Sequence, residues 1–229
     1  MSYNKKMRWR KDNDRRRLLV KLTDKIASRG MTSLDLKPLI YAGDLRGAPK
    51  YPGQCIVKPN NNSGKTFHCR NAGDYEKALN RMESLQHVKY GYEKGEWAYS
   101  QVPFKVLIEK MIDPGIELGF FCFDGICRFI RLFDYREDKR YRMSHFDRDG
   151  NFIEARNLKY DYNEKTLPYF DRSIIARVES QINIDHVRTD VHISGDRVYF
   201  GEYTLYSGSG TMKWDPPEFD DLLGKWWKV

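Results

Sequence analysis

Asp190 and Glu202 stand in VRTDVHISGDRVYFGEYTLYSGSG, Val187 to Gly210, each inside an otherwise apolar and aromatic strand pattern. Strand alternation puts Asp190 on one face with His192, and Glu202 on one face with Thr204. A three-residue turn at Gly195-Asp196-Arg197 pairs Ser194 with Val198 and sets Asp190 directly across from Glu202. Two carboxylates that close repel unless a proton is shared or a cation sits between them. Hard oxygen donors with no His/Cys cluster nearby suit Mg2+, which also takes phosphate oxygens. A register shifted by one residue would instead turn one acid to solvent. Arg188, on the face of Asp190, can clamp a transferring phosphoryl group or a carboxylate, or form an ordinary ion pair with a nearby acid.

Two further segments carry chemistry. CIVKPNNNSGKTF places Lys58 at the end of a strand, then the small polar loop Asn61, Asn62, Ser63, Gly64 and Lys65, then a returning strand. Backbone N–H groups of such a loop can approach phosphate oxygens. The GxxxxGK[ST] pattern is absent, and the same composition makes an ordinary turn. In VLIEKMID, the backbone after Glu109 and Lys110 can offer a carbonyl and an N–H to a planar base, with Met111 and Ile112 packing on the ring. The plainer reading is a core strand ending in a surface Glu-Lys pair.

The elements that must hold these residues read as follows. Residues 14–29 carry Leu18, Leu19, Leu22 and Ile26 at helical spacing, with Gly30 as a stop. Gln54 to Lys58 is a short strand and FHCR its return. Asp74 is read as the cap of a helix with Tyr75, Ala78, Leu79, Met82 and Leu85 inward. FKVLIEKMI is a buried strand. ELGFFCFDGICRFIRLFDY is a hairpin around Asp124-Gly125 that sets Cys122 opposite Cys127 and turns Arg128 and Arg131 to opposite faces. Residues 136–165 are polar and carry no period that assigns them. Asp171 caps a helix with Ile174, Ile175, Val178 and Ile182 inward, and Asp215 with Pro216 opens the last one. The order gives an α+β protein on antiparallel sheet.

Composition bounds the rest. The 40% hydrophobic fraction supplies a core, and no apolar run is long enough for a membrane span. The N-terminus lacks the apolar segment of a secretory signal, so a cytoplasmic protein is expected. Four cysteines without metal-ligand spacing read as reduced thiols. A net charge of +8 asks for a negatively charged partner, although part of it lies in the first 17 residues, where a solvated basic arm is a sufficient account.

Taken in order, Lys58 with its loop, Glu109-Lys110-Met111-Ile112, then Asp190 and Glu202 resemble the ATP-grasp superfamily, and within it the TupA-like branch associated with surface-polysaccharide biosynthesis. The likeness runs through KLTDKIASRGM, CIVKPNNNSGKTFHC, VLIEKMID, FFCFDGICRFI, the Asp190–Glu202 hairpin and the closing GKWWKV. It implies two antiparallel-sheet lobes with helices enclosing an ATP cleft, and a shortened N-terminal region whose missing substrate surface a partner subunit could supply. Three regions are expected: a basic arm and helical part over 1–50, a small lobe over 51–105 and a large lobe over 106–229.

The resemblance implies ATP and Mg2+ as cofactors. Asp190 and Glu202 would hold the metal, with Thr204 where the superfamily often carries Asn. Lys58 would meet the α/β-phosphates under the Asn61–Lys65 loop. Glu109 and the backbone to Ile112 would meet adenine, Glu117 the ribose, and the loop Ser207, Gly208, Ser209, Gly210 the acceptor carboxylate or acyl phosphate. The implied chemistry joins an amine to a carboxylate through an acyl phosphate, the acceptor being a surface polysaccharide or its precursor. Two alternatives stand beside it: a kinase for a small molecule or sugar, and a nucleic-acid-binding protein that stacks bases on Trp9, Tyr90, Tyr92 and Trp97. Trp226 and Trp227 read as core, against a sugar platform.

Overall fold

In YNKKMRWRKDN, Tyr3, Met7 and Arg10 recur at helical spacing, and in the computed structural model this segment is helix α1 (Tyr3–Asn13) with all three fully buried. The charge of the first 17 residues is therefore not carried on a solvated arm. The structure describes residues 1–112, 115–135, 141–162, 164–181 and 183–229. The single helix read over 14–29 is instead α2 (Arg17–Thr23) and a 3-10 turn (Ala27–Met31). Asp24 interrupts it: its carboxylate accepts the Ile26 N–H, an alternative to the helical bond. Leu19 and Leu22 are buried, Leu18 and Ile26 half-buried.

Arg15–Met31 and Leu36–Asp113 form one compact unit. Its sheet holds β1 (Leu39–Gly43), β2 (Cys55–Pro59), β3 (Phe67–Cys69) and β4 (Val106–Lys110) in the order β1-β4-β2-β3, all antiparallel. Helix α3 (Ala72–Leu85) lays Tyr75, Ala78, Met82 and Leu85 on one face of it, against Cys55, Val57, Cys69, Val106 and Ile108. Asn71, not Asp74, is its cap: the Asn71 side chain accepts the Asp74 N–H at 2.9 Å. A short helix α4 (Trp97–Ser100) precedes β4. Strand alternation leaves Ile56, Lys58, Leu107 and Glu109 together on the opposite face.

Met1–Asp14, Thr32–Asp35 and Pro114–Val229 form the second unit. Its six-stranded antiparallel sheet contains β5 (Ile116–Phe123), β6 (Ile126–Tyr135), β7 (Tyr141–Asp147), β8 (Phe152–Ile153), β10 (His186–Ser194) and β11 (Arg197–Thr204), ordered β11-β10-β5-β6-β7-β8. The polar stretch that periodicity does not assign thus supplies β7, β8 and β9 (Arg156–Asn157). The Asp124-Gly125 turn forms with both residues at positive φ and Cys122 opposite Cys127.

One sheet face carries Leu118, Phe120, Ile130, Val187 and Val191 with Ile174, Ile175 and Val178 of α5 (Ser173–Glu179), whose first turn Asp171 caps. Ile182 lies outside the described residues. The other face carries Phe121, Phe123, Phe129 and His186, packed with Tyr3 of α1 and with Trp226 and Trp227 at the end of α6 (Glu218–Trp226). Trp227 is fully buried, so this pair closes the core. Asp215 does not cap α6: it lies in β12 (Trp214–Asp215), paired with β9 and salt-bridged to Arg156.

Candidate active site

On the aromatic face of the large sheet, the register aligns one row across five strands: Glu202, Asp190, Gly119, Arg131 and His145. Asp190 does face Glu202, though by another route than the sequence suggested. The turn has two residues, Ser194 pairing with Arg197, and a bulge opposite Asp190 and Val191 absorbs Gly201. A Cβ on Gly201 would stand 2.8 Å from the Asp190 carbonyl, so the bulge needs glycine.

Asp190 is buried and gripped twice by Arg188, Nε to Oδ1 and Nη2 to Oδ2, both at 2.6 Å. The Thr204 hydroxyl donates to Asp190 Oδ2 at 3.0 Å, lies 3.5 Å from Glu202 Oε1, and accepts from Arg188 Nη2 at 3.0 Å. Burial holds the Asp190 carboxyl above its usual range, against the pull of Arg188, and the Glu202 charge adds to the rise. Burial works against the Arg188 cation, but Asp190 more than offsets it and holds that guanidinium above its ordinary pKa.

Two carboxylates and a hydroxyl at one spot are hard oxygen donors, and a cation there would offset both the burial of Asp190 and the Glu202 charge beside it. They fit Mg2+. Among the described residues no group of three His, Cys, Asp or Glu gathers to hold a metal. Glu117 shares their face, 3.7 Å from the His192 ring.

Arg188 also donates to the Ser207 hydroxyl at 3.0 Å, tying the row to the loop that follows β11. Gly208, Ser209 and Gly210 all take positive φ there. Helix α1 holds this loop by its carbonyls: Arg8 donates to Gly210 O at 2.9 Å and Lys11 to Ser209 O at 3.2 Å. The Ser209 N–H is committed to Tyr206 O at 2.8 Å.

In the smaller unit, Lys58 Nζ meets Glu109 Oε2 at 2.7 Å, and Arg29 takes the other carboxylate oxygen. Glu109 is thus a buried, doubly paired anchor that holds Lys58. The loop has a clamped base and an open tip. Lys25 Nζ donates to Asn62 O at 2.6 Å, Asn61 donates to Val102 O, and Asn60 donates to both Asp24 and Pro103 O. Asn61 and Asn62 are buried, whereas Gly64 and Lys65 are exposed and Ser63 half so. The Met111 N–H donates to Gln54 O and the Lys110 N–H to Pro38 O.

Arg131 and His145 were not singled out as functional by their sequence. Arg128 is exposed and Arg131 is 3% exposed, as their opposite faces imply. Arg131 Nε donates to His145 Nε2 at 3.1 Å, and His145 Nδ1 donates to Ala155 O at 2.8 Å. This pattern needs a neutral imidazole, and burial, then the Arg131 charge, pushes His145 down to about 3. Two arginines crowd one ring, Arg131 at 4.5 Å and Arg188 at 5.7 Å from the Phe121 centroid. Of the four aromatics proposed to stack bases, Tyr90 packs edge-on against Tyr99 and Trp97 lies under Arg15, leaving Trp9 and Tyr92 exposed.

The family model described as TupA-like ATPgrasp matches residues 5–228. D-alanine–D-alanine ligase from Bacillus anthracis shares the fold at 15% identity and a TM-score of 0.51, over 89% of this chain and 63% of the ligase. L-amino acid ligase from Bacillus licheniformis does so at 13% identity and a TM-score of 0.50, over 83% of this chain and 42% of that one. The chain therefore spans less than two thirds of either enzyme. No curated protein matches it. Among the described residues no helix is long and apolar enough to cross a membrane.

Proposed function

Because the chain belongs to the TupA-like ATP-grasp family, we propose that it is an ATP- and Mg2+-dependent ligase that joins an amine to a carboxylate. The carboxylate attacks the γ-phosphorus of ATP, the bond to the β-phosphate oxygen breaks, and ADP leaves with its electron pair. The amine then attacks the acyl carbon of the acyl phosphate, and phosphate leaves as the amide forms. The acceptor is a carboxylate of a surface polysaccharide or its precursor, a polyanion that suits a chain of net charge +8; the amine is an amino acid or peptide.

The observation that carries this reading is the buried Asp190 opposite Glu202, with Thr204 touching both. These three would hold Mg2+, which when bound neutralises phosphate charge. Arg188, fixed by Asp190 and Ser207, places a cation where phosphoryl charge passes. Lys58, held extended by Glu109, meets phosphate, and Ser63, Gly64 and Lys65 close over it. With Met111 N–H committed, the base edge falls to the Ile112 N–H and neighbouring carbonyls, and Glu117 takes the ribose. Ser207, Gly208 and Gly210 line the acceptor side. The chain's work is positioning and charge neutralisation, with no covalent nucleophile.

Calorimetric titration of MgATP into the wild type and Glu202→Gln tests it. Micromolar binding that requires Mg2+ and falls at least tenfold in the variant is expected. Wild-type chain that binds no nucleotide in the presence of Mg2+ would sink the proposal.

A further inference from the structure

Arg131 is a buried cation with no carboxylate in ion-pair distance among the described residues. Its partners are the neutral ring of His145, the thioether of Met212 at 4.0 Å from Nη2, and the faces of Phe121 and Phe133. A guanidinium has five N–H donors, and this set supplies one hard acceptor. Burial, and then the charge of Arg188, both weigh against the cation. Such a group is costly unless an anion completes it.

The Met212 that touches Arg131 also lines a cavity of about 390 Å3, with Asn157, Tyr160, Thr211 and the lysines Lys159 and Lys213. That volume suits a small-molecule site. None of its lining residues is acidic, and most carry polar groups. Gly208 of the β11 loop completes the wall: a Cβ there would run into Met212 at 2.2 Å, so glycine lets the thioether lie against the loop.

We infer that this cavity is the subsite for a carboxylate on a polar skeleton, with Arg131 as its anchor and Met212 as the side chain that yields to admit it. The word acceptor applied to that ligand rests on the ligase reading; its binding does not. Arg131 stands two strands from Asp190 in the register, about 10 Å at ordinary strand spacing. The anchored anion is therefore held on the β6 side of the row, away from the Asp190 and Glu202 carboxylates. His145 is a positioning residue: its Nδ1–H bond to Ala155 O turns Nε2 toward Arg131 and fixes the guanidinium plane. A sugar acid and an acidic amino acid both present this chemistry.

The test is equilibrium binding to the full chain of two matched pairs, D-glucuronate against D-glucose and L-glutamate against L-glutamine, with MgATP binding measured separately. In one pair at least, the acid is expected to bind tenfold or more tightly than its neutral mate, and that pair identifies the skeleton. Arg131→Met should abolish the preference, and Met212→Ala should strengthen acid binding. Should Arg131→Met fail to fold, the surface double variant Lys159→Ala/Lys213→Ala serves, with at least a threefold loss expected. Equal affinities within both pairs, or a preference that survives Arg131→Met or the double variant, overturn the inference. A wild type that binds MgATP without preferring acids refutes only this inference, and the reverse pattern refutes only the ligase reading.

Discussion

Acidification should destabilise the larger unit well before its carboxylates titrate, because it buries two histidines that the fold keeps neutral. His186 accepts the Tyr3 hydroxyl at Nε2 and donates from Nδ1 to Cys122 O, and Arg10, Asp185 and Arg188 bear on it. His145 sits between Arg131 and Ala155 O, against Trp214 and Phe219. Burial, and then Arg131 for His145 and Arg10 for His186, pushes each down to about 3 from 6.5.

The unfolded chain then binds protons that the folded one refuses between these values, so stability is complete above pH 6.5 and falls as pH drops toward 3. At pH 5 each histidine costs about 2 kcal/mol, and the two together about 4, a large part of a typical domain's stability. The carboxylates held low, Asp171 by Ser173, and Asp147 and Glu179 by Asn151 and Arg148 against the cost of burial, add to this only nearer pH 4. Asp190, held high, works in the opposite sense.

Urea denaturation at pH 7.5 and 5.0, followed by tryptophan fluorescence, reads this unit, since of the tryptophans only Trp97 lies outside it. A drop of about 4 kcal/mol is expected, halved to about 2 in His186→Gln, in which the other groups cancel. A change below about 1 kcal/mol in wild type, or an equal change in both proteins, would refute the reasoning.

Two smaller predictions follow from close contacts. Gly119→Ala puts a methyl 3.0 Å from Asp190 Oδ1 and 3.1 Å from both Arg188 Cδ and the Phe133 ring. It should cost about 1–3 kcal/mol by urea denaturation and weaken MgATP binding in calorimetry; unchanged values on both counts would mean that the Arg188–Asp190 pair is not closely packed. Lys58→Met keeps the stem but leaves Glu109 to Arg29 alone. MgATP affinity should fall at least tenfold, with a stability loss of about 1–3 kcal/mol because Arg29 still pairs with Glu109.

Local signals in the sequence were legible where a turn or a helical period set them. The Asp124-Gly125 hairpin, the inward face of α3 and the strand ending at Lys58 follow from such signals. The pairing of Asp190 with Glu202 was legible in outcome only, because the bulge at Gly201 compensates a turn one residue shorter than read. Arg131 and His145 escaped for a different reason. They meet only through the β6–β7 register, and neither residue type at that spacing announces the other. Helix α1 hid behind its composition: an arginine stands on its buried face, held by the carbonyls of His186 and Leu205 and by Asp185 at 2.7 Å. Burial of a charged side chain depends on partners far along the chain, which no local window contains.

The composition of the sheet face bearing Asp190 argues for function over stability. Half of that face is rings: Phe121, Phe123, Phe129 and His186 under Tyr3 and Trp227. The other half carries Arg131, Arg188, Asp190 and Glu202 in adjacent register positions. Replacing a buried ion pair by apolar side chains of similar volume is often neutral or stabilising, so packing alone would have continued the aromatic half across the sheet. Within the polar half, Arg188 pairs with Asp190 at 2.6 Å, Glu202 lies across from Asp190, and Arg131 lies one strand beyond Gly119. Gly119, without a side chain, leaves room for the Asp190 carboxylate and the Arg188 stem, which would stand 3.0 and 3.1 Å from a Cβ there. Acid at one end of the row and an arginine at the other is the order of charge that the proposed metal site and the proposed anion site would use.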